Sequence, residues 1–170
     1  MNSPRKARRK NTIARSRLLE NAISGLRHRN FVEFKSHADF EKTGLFPPTC
    51  YVIRNYPHPT LYGTPGKKEA FVFYRGARYV FEAKYQNTSG SVDEKIGTLW
   101  LSFLQSPVPN WIVWFDGNYW RKDPRGIAII KWLRDRIREH TVGGRHLYVC
   151  ASDDEWHELA QELFRHELAG

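Results

Sequence analysis

The sequence predicts an α/β protein in which a mixed β-sheet carries helices on both faces. Two short runs, "WIVWF" at 111–115 and "HLYVCA" at 146–151, are almost wholly apolar, as expected of strands that are covered on both sides. Helical patterns lie before and after these runs, and an alternation of strands and helices favours a parallel arrangement. The first half contains a hairpin pattern instead, which adds antiparallel strands to the sheet.

The elements of the first half are a helix, a strand and the hairpin. Apolar residues recur at helical spacing from Thr12 to about Arg27, which predicts an amphipathic helix. Residues 31–50 are ambiguous apart from a short helix around 39–42, and "CYVIRNY" then reads as a strand before a loop rich in Pro and Gly. Next, "EAFVFY" and "RYVFEAKYQ" flank the short turn "RGA", which is the pattern of a hairpin.

The second half alternates between helices and strands. "SVDEKIGTLWLSFLQ" has one apolar stripe, and Ser91 with Glu94 three residues on matches a capping box. The strand at 111–115 comes next and is followed by a helix over about 127–139. After the strand at 146–151, Ser152 caps a last helix whose first turn is acidic, as the helix dipole prefers.

Charge and composition limit the classes of partner. A chain of 170 residues that is 41% hydrophobic can form one domain with its own core. The net charge of +9 and the pI of about 9.7 point to a polyanion, with nucleic acid first and an anionic membrane surface second. No apolar run approaches the roughly 20 residues of a membrane span, the N-terminus lacks the apolar core of a secretory signal, and the two cysteines suit reduced thiols. We therefore expect a soluble intracellular protein, cytoplasmic or associated with DNA in the nucleoid.

The basic residues gather in three places. Residues 1–11 carry charge but nothing to bury, which predicts a disordered arm, and residues 12–170 are expected to form the single domain. Trp120 is a candidate for stacking on a base, whereas Trp132 falls at a core position. The candidate nucleic-acid contacts are Arg5, Lys6, Arg8, Arg9, Lys10, Lys67, Lys68, Arg121 and Lys122.

Polar side chains on the two hairpin strands form the candidate site. Alternation along the second strand places Glu82, Lys84 and Gln86 on one face, and alternation along the first places Glu69 on the same side as Phe71. The hairpin brings the two glutamates to neighbouring strand ends, where they repel each other unless a hard cation such as Mg²⁺ lies between them. A lysine two residues on can orient a water and offset charge that develops on a phosphate. The charges can equally be solvated groups on an exposed strand face.

The run "KKEAFVFYRGARYVFEAKYQNTSGSVDEKI" resembles the core of the PD-(D/E)XK, or restriction-endonuclease-like, nuclease superfamily. In that superfamily an acid opens one strand, an acid-x-Lys triplet lies on the next, and together they bind one or two Mg²⁺ ions for phosphodiester hydrolysis. Glu82 and Lys84 match the triplet, and Glu69 matches the upstream acid. Gln86 matches a glutamine often found two residues past the lysine, and Glu20 lies where many members carry a further metal-binding acid.

The resemblance implies a fold, an activity and a metal. The expected fold is the restriction-endonuclease-like αβββαβ core, and the expected activity is that of a Mg²⁺-dependent DNA endonuclease, with Mn²⁺ as a substitute, that acts as a homodimer. Lys84 would position the attacking water. The sequence departs from the superfamily in its first motif, which is Lys68-Glu69 and not Pro-Asp. The implied metal ligands are Glu69, Glu82, the backbone carbonyl of Ala83 and Glu20.

Other functions stay open at this point. A non-catalytic nucleic-acid-binding module could keep the same fold, and the basic surface would suffice for it. A sugar hydrolase could use Glu82 and Asp116 as its carboxylate pair, although Asp116 with Gly117 also reads as a turn. Within the nucleases, the sequence does not separate a sequence-specific enzyme from a structure-specific, junction-resolving one. It also leaves open restriction, mobile-element, recombination and repair roles.

Overall fold

A computed structural model of the chain describes residues 4–44, 47–88, 92–139 and 144–165, with side chains from residue 13 onward except at 92–94. No described helix is long and apolar enough to cross a membrane. The helices and strands are, in chain order, α1 (Pro4–Arg27), β1 (Val32–Phe34), α2 (His37–Glu41), β2 (Cys50–Pro57), β3 (Lys67–Tyr74), β4 (Ala77–Tyr85), α3 (Val92–Gln105), β5 (Asn110–Asp116), α4 (Asn118–Lys122), α5 (Pro124–Glu139), β6 (His146–Cys150) and α6 (Asp153–Leu163).

The strands form one six-stranded mixed sheet in the order β1-β2-β3-β4-β5-β6. β2, β3 and β4 are antiparallel neighbours, whereas β1 pairs parallel with β2, and β4, β5 and β6 run parallel to one another. The helices between β4, β5 and β6 provide the crossovers that parallel strands require. Because β3 is antiparallel to β4, the first residues of β3 and the last residues of β4, β5 and β6 lie at the same end of the sheet.

Helices cover both faces of the sheet, which confirms the predicted α/β class. One face packs against α1 and α6, with Ile23 and Trp156 among the buried residues. The other face packs against α3, α4 and α5, with Phe103 and Leu133 among them. Fully burying a side chain such as Leu133 contributes about 1.5–3 kcal/mol to folding. The predicted apolar strand at 111–115 lies in β5, whose residues Trp111 to Phe115 are at most 1% exposed.

The first helix begins at Pro4, earlier than the apolar spacing of the sequence predicts. Residues 4–11, expected to be a disordered arm, therefore belong to α1. Lys, Arg and Ala are strong helix formers, and Pro suits the first helical position, so the helix extends beyond its buried stripe. The side chains of these residues, and the predicted capping box of Ser91 with Glu94, lie outside the described part of the chain.

Two tryptophans lie in environments opposite to those expected. Trp120 is 4% exposed and packs edge-on against Phe115, because the short helix α4 turns it inward. The prediction that Trp120 stacks on a base is therefore wrong. Trp132 is 40% exposed, since α5 buries Ile130 and Leu133 on the face that meets the sheet and turns the residue between them outward.

Candidate active site

The candidate site lies where β3 and β4 separate. Their pairing ends at Ala70 and Phe81. Beyond that point the backbone N–H of Ala83 donates to Glu69 Oε2 at 2.8 Å. The Glu69 carboxylate therefore replaces the backbone carbonyl that would accept this hydrogen bond in a regular sheet. We call this region, formed by residues 67–69 of β3 and 82–85 of β4, the fork.

The side chains at the start of β3 do not follow strict alternation. Ala70 packs in the cluster under α1, whereas Lys68 lies over the ring of Trp111, in the cluster on the opposite face. The interruption falls at Glu69, and Asn55, opposite it on β2, has a left-handed backbone with φ of 49°. The prediction that Glu69 shares a side with Phe71 is therefore wrong, because the regular pleat is broken at this residue.

Glu82 is a buried carboxylate held by two lysines. Its side chain is 8% exposed, and Oε1 accepts a hydrogen bond from Lys68 Nζ at 2.8 Å. The other oxygen, Oε2, lies 3.5 Å from Lys84 Nζ. Burial alone would raise the pKa of Glu82, but the ammonium groups of Lys84 and Lys68 hold it below the usual glutamate value. Glu82 therefore carries a negative charge at neutral pH.

Glu69 meets a different set of partners. While Oε2 accepts from the Ala83 backbone, Oε1 accepts from Arg15 Nε of α1 at 3.0 Å. Burial raises the pKa of Glu69 above its usual value; the charge of Glu82 adds to this effect, and Arg15 opposes it. The two carboxylates therefore sense each other, and a cation between them would relieve the repulsion.

A cleft of about 380 Å³ opens from the fork between β4 and α3. Lys68, Lys84 and Lys95 supply positive charge around Glu82, and Thr98 and Ser102 supply hydroxyl groups. Such a lining suits a phosphate group next to a carboxylate-bound cation. A larger cavity of about 840 Å³ lies between α5 and the start of α6, and no fork residue lines it.

Two of the predicted site residues point elsewhere. The carboxylate of Glu20, on α1, accepts from both terminal nitrogens of Arg54, and Arg54 also contacts Glu33. Gln86 Nε2 donates to the carbonyl of Thr88 in the loop after β4, at 2.7 Å. The structure therefore brings together Glu69, Glu82, Lys84 and the Ala83 backbone, and it places Glu20 and Gln86 in other contacts.

Asp116 does not join Glu82 as a second catalytic carboxylate. In the pairing of β4 with β5 it lies opposite Tyr85, three residues along the strand from Glu82 or roughly 10 Å. Its side chain forms an ion pair with Arg121 and accepts from the backbone N–H of Gly117 at 2.7 Å. These contacts match the role of a turn residue.

The predicted nucleic-acid contacts divide by position. Lys67 and Lys122 are exposed, and Arg121 is partly exposed beside Asp116. Lys68 instead points into the fork, with a side chain that is 15% exposed. The basic residues at 5–10 lie on the first turns of α1, with side chains outside the described part.

The residues of the fork fit a divalent metal ion. Mg²⁺ in proteins is commonly bound by one or two carboxylates and completes its shell with water and substrate phosphate. Glu69 and Glu82 provide two such carboxylates. Among the described residues no group of three or more His, Cys, Asp or Glu side chains is placed to hold a metal ion.

Sequence reasoning missed two members of the site. Arg15 reaches Glu69 from a position 54 residues earlier in the chain, and no local pattern links the two. Lys68 was expected to contact nucleic acid from the surface, yet it binds Glu82. The position of Lys68 directly before Glu69 could have indicated its role, because a residue next to a motif acid lies close to the site whichever face it points to.

Comparison with known families agrees with this geometry. The profile of the PD-(D/E)XK nuclease superfamily domain matches residues 14–162, which is most of the chain. Neither the curated proteins nor the solved structures gave a match. The chain belongs to the PD-(D/E)XK nuclease superfamily, which indicates a nuclease that acts on nucleic acid.

Proposed function

We propose that this member of the PD-(D/E)XK nuclease superfamily is a Mg²⁺-dependent DNA endonuclease that hydrolyses phosphodiester bonds. The observation that carries the proposal is the pair of carboxylates at the fork, the partly buried Glu69 and the buried Glu82, with Lys84 Nζ 3.5 Å from Glu82 Oε2. Glu82, whose side chain is 8% exposed, lines a cleft that also contains three lysines. Membership in the superfamily supplies the reaction class, and the net charge of +9 favours a polyanionic substrate such as DNA.

The residues of the fork have distinct roles in this proposal. Glu69 and Glu82, with the Ala83 carbonyl, would hold the divalent ion, which supplies Lewis-acid activation of a water and of the phosphate. Lys84 would orient the attacking water by hydrogen bonding and stabilise the negative charge that grows on the phosphate oxygens. Lys95, on the opposite wall of the cleft, would contact a phosphate oxygen. The arrangement assigns Gln86 no direct contact, since its amide is bound to Thr88.

We infer in addition that the protein acts as a homodimer. Each chain contributes one fork, whereas the two strands of a duplex run in opposite directions. A two-fold axis would present two equivalent forks to the two strands. Conversion of supercoiled plasmid directly to linear product, together with a dimer mass by light scattering, is expected; a monomer that releases only nicked circles would contradict the dimer.

Plasmid cleavage with and without Mg²⁺ tests the main proposal. Lys84→Ala and Glu82→Ala are expected to abolish cleavage, and chelation of the metal by EDTA is expected to do the same. Glu41→Ala and Lys42→Ala are matched controls, because both residues are exposed, one at the end of α2 and the other directly after it. Cleavage by either fork variant at the wild-type rate would refute the assignment of the site.

The same assay separates the alternatives. A non-catalytic binding module would bind DNA in a salt-sensitive way, show no metal-dependent cleavage, and bind equally well after Lys84→Ala. Cleavage compared across duplex, nicked, branched and single-stranded DNA decides between a sequence-specific and a junction-resolving enzyme. A preference of tenfold or more for branched DNA would favour the second.

A further inference from the structure

Lys68 occupies an unusual place for a charged residue. It stands where the superfamily motif has proline, directly before the upstream acid Glu69. Its ammonium group donates to Glu82 Oε1 at 2.8 Å and lies 4.3 Å from the ring centre of Trp111. Trp111 is fully buried on β5. The lysine is therefore fixed between a buried carboxylate and the face of an indole, which attracts cations.

The oxygens of the two carboxylates divide into fixed and exchangeable ones. Glu82 Oε1 is bound by Lys68, and Glu69 Oε2 is bound by the backbone N–H of Ala83. Glu82 Oε2 has a looser contact, with Lys84 Nζ at 3.5 Å. Glu69 Oε1 is bound by Arg15, whose side chain is 46% exposed and can turn into water. One oxygen on each glutamate is thus available to a metal ion.

The charge balance of the fork points the same way. Among the described side chains that form ion pairs in the fork, two carboxylates face three cationic groups, those of Arg15, Lys68 and Lys84. One divalent ion can enter if Arg15 leaves Glu69. A second divalent ion would have to remove Lys68 from Glu82 as well, and that side chain is only 15% exposed and packed on Trp111. Like charges at such short separations in a buried site repel strongly.

We propose that Lys68 is a resident cation of the active site, which occupies the side of Glu82 where a second metal ion would bind and so limits each chain to one divalent ion. This inference rests on the proposed function and answers how many ions the site uses. Lys68 acts through Glu82, so it is a positioning residue. It also provides a positive charge that the superfamily's proline cannot provide.

The test counts bound ions and does not depend on catalysis. Free Mn²⁺ is measured by electron paramagnetic resonance while the full chain is titrated with Mn²⁺. The wild-type protein is expected to bind one Mn²⁺ per chain, and Lys68→Met is expected to bind two. Lys68→Arg keeps the charge and should bind one. Lys42→Met is the matched control, since it removes a lysine that is 75% exposed and lies outside the fork, and it should also bind one.

Each outcome decides the question. Two ions on the wild-type chain, or one ion on a folded Lys68→Met variant, would overturn the role of Lys68. If Lys68→Met does not fold, Lys68→Gln replaces it, since it also removes the charge, and it is expected to bind two ions. The proposed function can fail separately. If the wild-type chain binds one ion but cleaves no DNA, the role of Lys68 stands and the nuclease assignment is refuted. If it binds two ions and cleaves DNA, the role of Lys68 is refuted and the nuclease assignment stands. A chain that binds no Mn²⁺ overturns both.

Discussion

The two carboxylates of the fork should respond in different ways to the same substitution. Glu82→Gln keeps the shape of the side chain but removes the charge that Lys68 and Lys84 share. Removing one partner of a buried ion pair costs about 3–5 kcal/mol. Two features reduce this figure, because Lys84 is 30% exposed and Lys68 keeps its contact with Trp111. We therefore expect Glu82→Gln to lower the free energy of unfolding by about 2–3 kcal/mol at pH 7.

Glu69→Gln should have a much smaller effect. Glutamine can still accept from the Ala83 backbone, and burial already opposes the charged form of Glu69. The lost contact with Arg15 involves a half-exposed guanidinium, and such a pair is worth about 0–1 kcal/mol. The free energy of unfolding is expected to change by no more than about 1 kcal/mol in either direction.

The pH dependence follows from the directions of the two pKa shifts. The pKa of Glu82 is lowered in the folded state, so its stabilisation is present above the unfolded glutamate pKa of about 4.3 and is lost as the pH falls through the folded value. The cost of Glu82→Gln should therefore fade in acid. The pKa of Glu69 is raised, so its ionisation lowers the free energy of unfolding as the pH rises above about 4.3. The stability of Glu69→Gln relative to wild type should therefore be greatest at neutral pH.

Urea unfolding in EDTA, from pH 7 down to pH 3, measures both effects. Equal losses for Glu82→Gln and Glu69→Gln at pH 7 would refute the reasoning. So would a cost of Glu82→Gln that does not change with pH. Both variants should lose DNA cleavage, which shows that stability and activity report on different properties of the same pair.

Three further predictions concern residues around the fork. Gly117→Ala should lower the free energy of unfolding by about 3 kcal/mol or more, because φ is 106° and an added Cβ would lie 2.3 Å from the Gln86 carbonyl oxygen. Gly97→Ala is the control: its Cβ would enter open space on α3, and in the same urea assay it should raise the free energy of unfolding by about 0.5–1 kcal/mol. Ser106→Ala should cost about 1–3 kcal/mol by thermal unfolding, since the buried His58 Nε2 loses its partner at 2.9 Å, and an unchanged melting temperature would contradict this. Glu20→Gln should cleave plasmid within about twofold of the wild-type rate, because its half-exposed carboxylate is engaged by Arg54; a loss of tenfold or more would show that Glu20 belongs to the site.

The fold could be predicted because its signals are local. Apolar runs such as the one at 111–115 identify buried strands, and helical spacing identifies the helices between them. The hairpin pattern placed β3 beside β4, and alternation within β4 placed Glu82 and Lys84 on one face. The family resemblance depended on these same residues, and the family match over residues 14–162 confirms it.

The sequence by itself determined the fold class, the mixed sheet and the pair Glu82 and Lys84, since each follows from spacing within one strand or helix. Only the tertiary structure decided which way Glu69 and Lys68 point. That depends on a break in the pleat opposite the left-handed Asn55, which sequence alternation does not register. The packing of α1 over the sheet also decided that Arg15 reaches Glu69 while Glu20 binds Arg54. Contacts across more than 30 residues of sequence depend on how whole elements pack, and no spacing within one element encodes them.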